Sequence, residues 1–267
     1  MRSVRGFQSS SVISVFSYFW GGISAWKVAR SKQTSDSELL YQFITNSTNS
    51  KMETKYQSKI FIHTSSHGLY HRHLPKALKR VFHRHSPFIR PKIYAKSGQR
   101  ITEEVVHKIT LKAIEIHPRP QIHFVLLGDN NLRPNRRDCE DCFDTLPLFR
   151  DLVKNFSNFG NCRLVLCSIL PSPLTDEESK TKFKRMNRLL NTISLPDNHR
   201  ISFLNLTNDF IFQGIVQEEI LVNGIVRPVW NRDGIHLTVY GATMLARRLL
   251  EFLRILPVSF ENFPSQK

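Results

Sequence analysis

Asp233 and His236 stand three residues apart in the segment Asn231–Gly241, shortly before an apolar-periodic stretch that begins near Thr238. A carboxylate this close to an imidazole can accept the hydrogen on Nδ1, and Nε2 can then act as a general base. The same spacing also occurs where an aspartate forms a turn and a histidine packs at the start of a helix. The pair therefore indicates acid–base chemistry only if the chain also supplies a nucleophile.

Strand-like and helix-like segments alternate from about residue 58. The predicted strands are Lys59–His63, Lys92–Lys96, Ile122–Leu127, Arg163–Leu170 and Ile201–Leu206. The first predicted helix carries the apolar positions Leu74 to Phe82. Three more are predicted to begin at Thr102, at Thr145 and at the capping box Thr175-x-x-Glu178, and the last helix begins at about Thr238. This α/β alternation predicts a parallel sheet covered on both faces, with the functional site beyond the carboxyl ends of its strands.

Residues suited to acyl transfer follow the first three predicted strands. Ser66 follows the first strand at the start of a helix, Gly98 follows the second, and Asn130 follows the third. The backbone N–H groups of Ser66 and Gly98 and the side-chain amide of Asn130 could together form an oxyanion hole. Each residue also fits a structural role, as a helix cap or turn residue, but their joint order favours catalysis together with Asp233 and His236.

Four short blocks resemble those of the SGNH or GDSL-type hydrolases, over roughly residues 58 to 256. The blocks are Thr64-Ser-Ser-His67, Ser97-Gly98, Gly128-Asp-Asn-Asn131 and Asp233-Gly-Ile-His236. The resemblance implies a flavodoxin-like three-layer α/β/α sandwich with a five-stranded parallel sheet and no metal or organic cofactor. It implies hydrolysis of acyl esters, with short-chain or O-acetyl esters as the expected substrates.

The same resemblance assigns roles to individual residues. Ser66 matches the nucleophile, Gly98 and Asn130 match the oxyanion donors, and Asp233 and His236 match the other two members of a catalytic triad. Two blocks depart from the family pattern. Thr64-Ser-Ser stands where the family usually has Gly-Asp-Ser, and Gly-Asp-Asn-Asn stands in place of Gly-x-Asn-Asp. These departures keep a second interpretation open, a catalytically silent SGNH-like module that binds RNA or other polyanions.

The chain is strongly basic, with a formal net charge of +16 and a pI near 10.0. No acidic residue occurs between Glu53 and Glu103, and a basic surface is predicted there around Lys76, Lys79, Arg80 and Arg84. A nucleic acid or an anionic membrane surface is the partner that such a surface would bind, and the affinity would fall steeply with salt. The alternative is a solvated helix face. The sequence has no signal for the oligomeric state.

The ends of the chain differ from the middle in composition. Residues 1–52 are predicted to form an extension that is basic, rich in serine and free of acidic residues before Asp36, which is compatible with mitochondrial targeting or a membrane anchor. Without such a segment a cytoplasmic location is expected. Residues 53–258 are predicted to be the SGNH hydrolase-like domain, and residues 259–267 a tail.

Four cysteines form two close pairs, Cys139 with Cys142 and Cys162 with Cys167. A zinc site would place both pairs on turns, whereas Cys167 falls inside a predicted buried strand. The spacing therefore favours free thiols or a single disulfide between Cys139 and Cys142. No metal is expected.

Overall fold

The computed structural model describes residues 59–65, 73–85, 90–116, 119–133, 141–194 and 200–256. The chain divides after Lys55 into two units, and every described residue belongs to the second. Ser66, Cys139, the extension 1–52 and the tail 259–267 lie outside the described residues, so the predicted domain boundaries stay predictions.

Five parallel strands form the central sheet. They are β1 (Lys59–Thr64), β2 (Lys92–Ala95), β3 (Gln121–Leu126), β4 (Cys162–Cys167) and β5 (Ile201–Leu204), in the order β2-β1-β3-β4-β5. The predicted five-stranded parallel sheet is confirmed. The last two strands end earlier than predicted. The N–H of Ser168 still donates to the carbonyl of Leu204 at 3.0 Å, but the next N–H of the neighbouring chain segment, that of Leu206, donates to the Ser168 side-chain oxygen at 2.8 Å.

Helices cover both faces of the sheet. They are α1 (His73–His85), α2 (Glu103–Ile116), α3 (Asp129–Leu132), α4 (Cys142–Ser157), α5 (Glu177–Ser194), α6 (Thr207–Phe210) and α7 (Val239–Ile255). Side chains of β3 alternate between the two faces: Phe124 packs in the cluster with α1 and α7, whereas Val125 packs in the cluster with α2, α4 and α5. The predicted three-layer α/β/α sandwich is therefore confirmed. Among the described residues, no helix has the length and hydrophobicity needed to cross a bilayer.

The helix predicted to open at Thr145 begins one turn earlier, at Cys142. Asp141 caps it, since its side chain and that of Asp144 form a reciprocal capping box with the backbone. An aspartate here satisfies the first free N–H groups and places a negative charge at the positive end of the helix. The predicted start at Thr145 is wrong because the stronger cap lies upstream.

The helix after β4 is capped by Asp176 rather than by Thr175. The Asp176 carboxylate accepts the backbone N–H and the hydroxyl of Ser179, each at 2.8 Å. Thr175 instead accepts the N–H of Ser172 at 2.7 Å and closes the preceding turn. The predicted capping box Thr175-x-x-Glu178 is therefore wrong by one residue.

Three described cysteines are buried and free: Cys142, Cys162 and Cys167. The Sγ of Cys142 donates to the carbonyl of Lys182 at 3.3 Å, so the predicted alternative of a disulfide with Cys139 is wrong. Burial raises the pKa of Cys162 to about 12 and raises that of Cys167 further still. These thiols therefore stay protonated and act as small apolar side chains. The described part of the chain holds no cluster of three metal-binding side chains.

Two antiparallel hairpins join α6 to the segment that carries Asp233. One pairs β6 (Ile211–Phe212) with β7 (Ile215–Val216), and the other pairs β8 (Glu219–Val222) with β9 (Ile225–Pro228). The turn residues Gln213-Gly214 and Asn223-Gly224 all have positive φ, between 51° and 82°. Two consecutive positive φ values define the type I′ turn, whose twist matches that of the strands it connects.

Two histidines lie side by side inside the sheet. Nε2 of His63 is 3.1 Å from Nδ1 of His123, and Nε2 of His123 is 2.8 Å from Oε1 of Gln121. The amide nitrogen of Gln121 donates to the carbonyl of Ala113 at 2.8 Å, which fixes the orientation of the amide. His123 therefore donates to Gln121 and accepts from His63, so that Nδ1 of His63 is an acceptor. Burial lowers the pKa of His63 to about 4 and holds that of His123 well below its ordinary value.

We expect the free energy of unfolding to decrease as the pH falls from about 6.5 to about 4. The unfolded chain binds a proton on each histidine near pH 6.5, whereas the folded chain accepts none on His63 until about pH 4. This difference amounts to about 3 kcal/mol for His63 alone. Urea unfolding at pH 7.5, 6 and 5 measures it. His63→Phe should flatten the dependence on pH, and an unchanged slope in that variant would contradict the assignment.

Candidate active site

Asp233 and His236 form a direct hydrogen bond. Oδ2 of Asp233 accepts from Nδ1 of His236 at 2.7 Å, and Oδ1 accepts the backbone N–H groups of Ile235 and His236 at 2.9 Å each. Burial raises the pKa of the Asp233 carboxyl, but these three hydrogen bonds outweigh burial and lower the pKa to about 2. The carboxylate is therefore ionised at neutral pH and accepts the hydrogen on Nδ1 of His236, so that in a neutral ring the lone pair lies on Nε2.

Asn231 holds the loop in which this pair lies. Its backbone N–H donates to the carbonyl of His236 at 2.7 Å, and its side-chain amide donates to the carbonyl of Leu237 at 2.8 Å. Gly234 closes the turn with a φ of 60° and donates to the carbonyl of Asn231 at 2.8 Å. Sequence reasoning did not single out Asn231, although Asn-x-Asp-Gly is typical of a turn.

The predicted oxyanion donors meet through the loop after β2. Gly98 has a φ of 65° in the turn, and the side-chain nitrogen of Asn130 donates to the carbonyl of Gln99 at 3.2 Å. The amide nitrogen of Asn130 has two hydrogens, and this contact uses one of them. Asn130 is only 5% exposed, so its amide is oriented within the protein rather than by solvent.

Asn131 fastens the same loop to α3. Its Oδ1 accepts the N–H of Ile101 and its Nδ2 donates to the carbonyl of Ile101, both at 2.9 Å. The side chain is fully buried. An aspartate could accept the first hydrogen bond but could not donate the second. The asparagine at the fourth position of this block therefore satisfies both backbone groups of Ile101.

Ser65, a departure from the family pattern in the first block, contacts Asp129 of the third block. The Ser65 hydroxyl donates to Oδ2 of Asp129 at 3.4 Å, and both side chains are buried. Thr64, at the usual glycine position, is 2% exposed, and its hydroxyl has no hydrogen-bond partner among the described residues. The acidic side chain missing at position 65 is thus replaced by a serine that reaches an acidic side chain from the neighbouring strand end.

A small cavity of about 30 Å³ shows that three of the blocks converge. Its lining includes Thr64, Asp129 and Leu237. Thr64 is two residues before Ser66 in the sequence, Asp129 is next to Asn130, and Leu237 is next to His236. The structure therefore brings the neighbours of three predicted catalytic residues to one point beyond the ends of β1 and β3. Ser66 itself lies outside the described residues, so its position is not part of this geometry.

The predicted basic surface lies on α1. Lys76, Lys79, Arg80 and Arg84 are exposed there, while Leu74 and other apolar side chains of the helix pack towards α7. The four side chains are therefore available to solvent. Binding of a nucleic acid or an anionic membrane surface stays a prediction.

Solved structures of several esterases and lipases resemble this chain in fold. A member of the lipolytic protein G-D-S-L family from Veillonella parvula aligns with a TM-score of 0.55 and 14% identity, covering 75% of this chain and 100% of that one. A lipase from a goat rumen metagenome aligns with a TM-score of 0.54 and 12% identity, covering 73% of this chain and 97% of that one. A mutant of an acetyl-xylooligosaccharide esterase from Geobacillus aligns with a TM-score of 0.51 and 14% identity, covering 78% of this chain and 98% of that one.

These likenesses identify the fold as that of the SGNH or GDSL-type hydrolases. No protein-family model and no curated protein matches the sequence. The predicted fold resemblance is confirmed. At 14% identity or less, similarity of structure establishes the fold and leaves the reaction to be argued from the site.

Proposed function

We propose that this protein is a serine esterase that hydrolyses acyl esters, with Ser66 as its nucleophile. The hydrogen bond between Asp233 and His236 carries the proposal, because it orients the imidazole and fixes the tautomer that a general base requires. The names of the structural relatives, which include a lipase and an acetyl-xylooligosaccharide esterase, support ester hydrolysis on this fold. Short-chain or O-acetyl esters are the simplest substrates of this kind.

The first half of the reaction transfers the acyl group to the enzyme. Nε2 of His236 accepts the hydroxyl proton of Ser66 as the serine oxygen bonds to the ester carbonyl carbon. Asp233 stabilises the imidazolium that forms. The resulting oxyanion is bound by the backbone N–H groups of Ser66 and Gly98 and by the second amide hydrogen of Asn130. As the tetrahedral intermediate collapses, the bond to the alcohol oxygen breaks and His236 returns the proton to the leaving alcohol.

The second half releases the acid. Water gives a proton to Nε2 of His236 while its oxygen bonds to the acyl carbon, and collapse of this second intermediate breaks the bond to Ser66 and restores the serine hydroxyl. The chain, the ester and one water molecule are sufficient to balance the two halves. The buried contacts of Asn131 with Ile101 keep the oxyanion loop in place during both.

A fluorophosphonate probe tests the proposal on the full-length chain. We expect the probe to label the protein and mass spectrometry to locate the label on Ser66, with hydrolysis of 4-nitrophenyl acetate and butyrate by the same preparation. Ser66→Ala should remove both labelling and turnover. Ser65→Ala is the matched control, because it deletes the adjacent hydroxyl and should still be labelled.

Two results would overturn the assignment. One is labelling or turnover that persists in Ser66→Ala. The other is a folded wild-type chain that neither reacts with the probe nor hydrolyses either ester. That result would favour a catalytically silent module that binds polyanions through the exposed basic surface of α1.

A further inference from the structure

A ligand-sized cavity separates the edge strand β2 from helix α2. Its volume is about 460 Å³. Tyr94 and Ala95 line it from the strand, and one face of α2 lines it through Val105, Lys108, Ile109 and Lys112. Cavities of about 300 to 1,000 Å³ are the size that binds small organic molecules, so this one can hold far more than an acetyl group.

The cavity reaches the edge of the sheet at which the proposed catalytic residues lie. Thr64, which lines it, is two residues before Ser66, and Gln99, which also lines it, follows Gly98 directly. The carbonyl of Gln99 is the group to which Asn130 donates. The cavity therefore extends to the ends of β1 and β2, the two strands that Ser66 and Gly98 follow in the sequence.

The polar groups of the cavity restrict what it can bind. His63 lines it and is 6% exposed, and the network through His123 and Gln121 leaves its Nδ1 as an acceptor. Burial keeps the imidazole neutral with a pKa of about 4, so His63 offers a carboxylate no positive charge. Three lysines, Lys96, Lys108 and Lys112, also line the cavity, and two of them are paired, Lys108 with Glu104 and Lys112 with Glu115. The interior thus suits an apolar chain whose end donates a hydrogen bond.

We propose that this β2–α2 cavity binds the acyl group of the substrate and selects acyl chains that end in a hydroxyl group, donated to Nδ1 of His63. The inference rests on the proposed esterase function. The preferred acyl group of the substrate is then longer than acetyl and carries a hydroxyl group. The apolar contacts of Val105 and Ile109 bind the methylene chain, and His63 distinguishes a terminal hydroxyl from a terminal methyl.

Matched pairs of 4-nitrophenyl esters test the selectivity on the full-length chain. The pairs are 6-hydroxyhexanoate with heptanoate and 8-hydroxyoctanoate with nonanoate, which differ only in a terminal hydroxyl or methyl group. In at least one pair we expect kcat/KM to be about tenfold higher for the hydroxyl ester, because a methyl group would bury the His63 acceptor without a partner. His63→Phe should abolish that ratio.

Two tryptophan variants of α2 test the location. Val105→Trp fills the cavity and should lower kcat/KM for the long esters at least tenfold relative to kcat/KM for acetate. Leu111→Trp, on the same helix but 42% exposed and outside the cavity lining, should change neither. The inference is overturned if acetate is hydrolysed and no pair shows hydroxyl preference, or if both tryptophan variants behave alike. A folded chain that hydrolyses none of these esters, acetate included, and that is not labelled by the fluorophosphonate would instead refute the esterase proposal itself.

Discussion

Asp233→Asn is expected to lower kcat for ester hydrolysis by about 10⁴-fold while the protein stays folded. The two backbone N–H groups of Ile235 and His236 donate to Oδ1 of Asp233. In the variant only the amide oxygen can accept those hydrogen bonds, so it must occupy the Oδ1 position. The amide nitrogen is then forced to the Oδ2 position, opposite Nδ1 of His236.

This substitution inverts the histidine tautomer. An amide nitrogen donates, so Nδ1 of His236 becomes the acceptor and the ring hydrogen moves to Nε2. A ring protonated at Nε2 cannot accept the proton of Ser66. Because both backbone hydrogen bonds are retained, the loop keeps its shape, and the loss falls on kcat rather than on folding.

Steady-state hydrolysis of 4-nitrophenyl butyrate measures the effect, with urea unfolding as a check on stability. Asp209→Asn is the matched control, since Asp209 is also a partly buried carboxylate beside a cation, 3.4 Å from Arg248, but lies outside the proposed site. We expect it to retain turnover within about twofold, as for a substitution distant from the reacting groups. A decrease of less than tenfold in Asp233→Asn would contradict the assigned role of this carboxylate.

The central sheet could be predicted because each of its strands is an apolar run between turn residues. Strands buried on both faces favour consecutive apolar side chains, as in residues 60–62 of β1 and 164–166 of β4, and this signal is local. Their exact ends were less predictable. β4 ends before Ser168, whose hydroxyl oxygen accepts the N–H of Leu206, 38 residues away.

The two hairpins carried a local signal that the sequence interpretation did not use. Asn223-Gly224 stands between Glu219–Val222 and Ile225–Pro228, and Asn-Gly between short apolar runs is the strongest indication of a type I′ hairpin. None of the five predicted strands lies in the segment from Glu219 to Pro228. Several of its apolar side chains are exposed, including Leu221 at 69%, so its pattern does not mark a core strand.

The candidate site divides in the same way between local and distant contacts. The pairing of Asp233 with His236 could be predicted because it spans three residues and needs only one turn. The contacts of Ser65 with Asp129 and of Asn131 with Ile101 join residues 64 and 30 positions apart. Only the folded sheet brings these side chains together, so no spacing in the sequence could show how the altered blocks compensate for each other.

Gly241→Ala is expected to destabilise the protein by about 3 kcal/mol, at the upper end of the usual cost of overpacking. A Cβ at Gly241 would lie 2.3 Å from the carbonyl oxygen of Val229 and 3.1 Å from a methyl carbon of Leu237. Alanine is favoured over glycine inside a helix by about 1 kcal/mol, which is too little to offset a clash with backbone.

The clash cannot be relieved by a small movement of Val229. Its carbonyl accepts the backbone N–H of Thr238 at 2.9 Å and the threonine hydroxyl at 3.2 Å, and Thr238 caps α7 by accepting the N–H of Gly241. Moving this carbonyl would shift both ends of the loop that contains Asp233 and His236. The substitution is therefore expected to reduce esterase activity as well as stability.

Urea unfolding of Gly241→Ala beside Gly160→Ala separates the clash from the general effect of replacing glycine. A Cβ at Gly160 would meet no atom within 4 Å, so that variant should differ from the wild type by less than about 1 kcal/mol. Equal stability of the two variants would show that Val229 can move after all. A destabilised Gly241→Ala with full turnover of 4-nitrophenyl butyrate would show that the start of α7 and the Asp233–His236 pair are independent. Loss of both stability and turnover would instead support a single structural unit that caps α7 and orients the base.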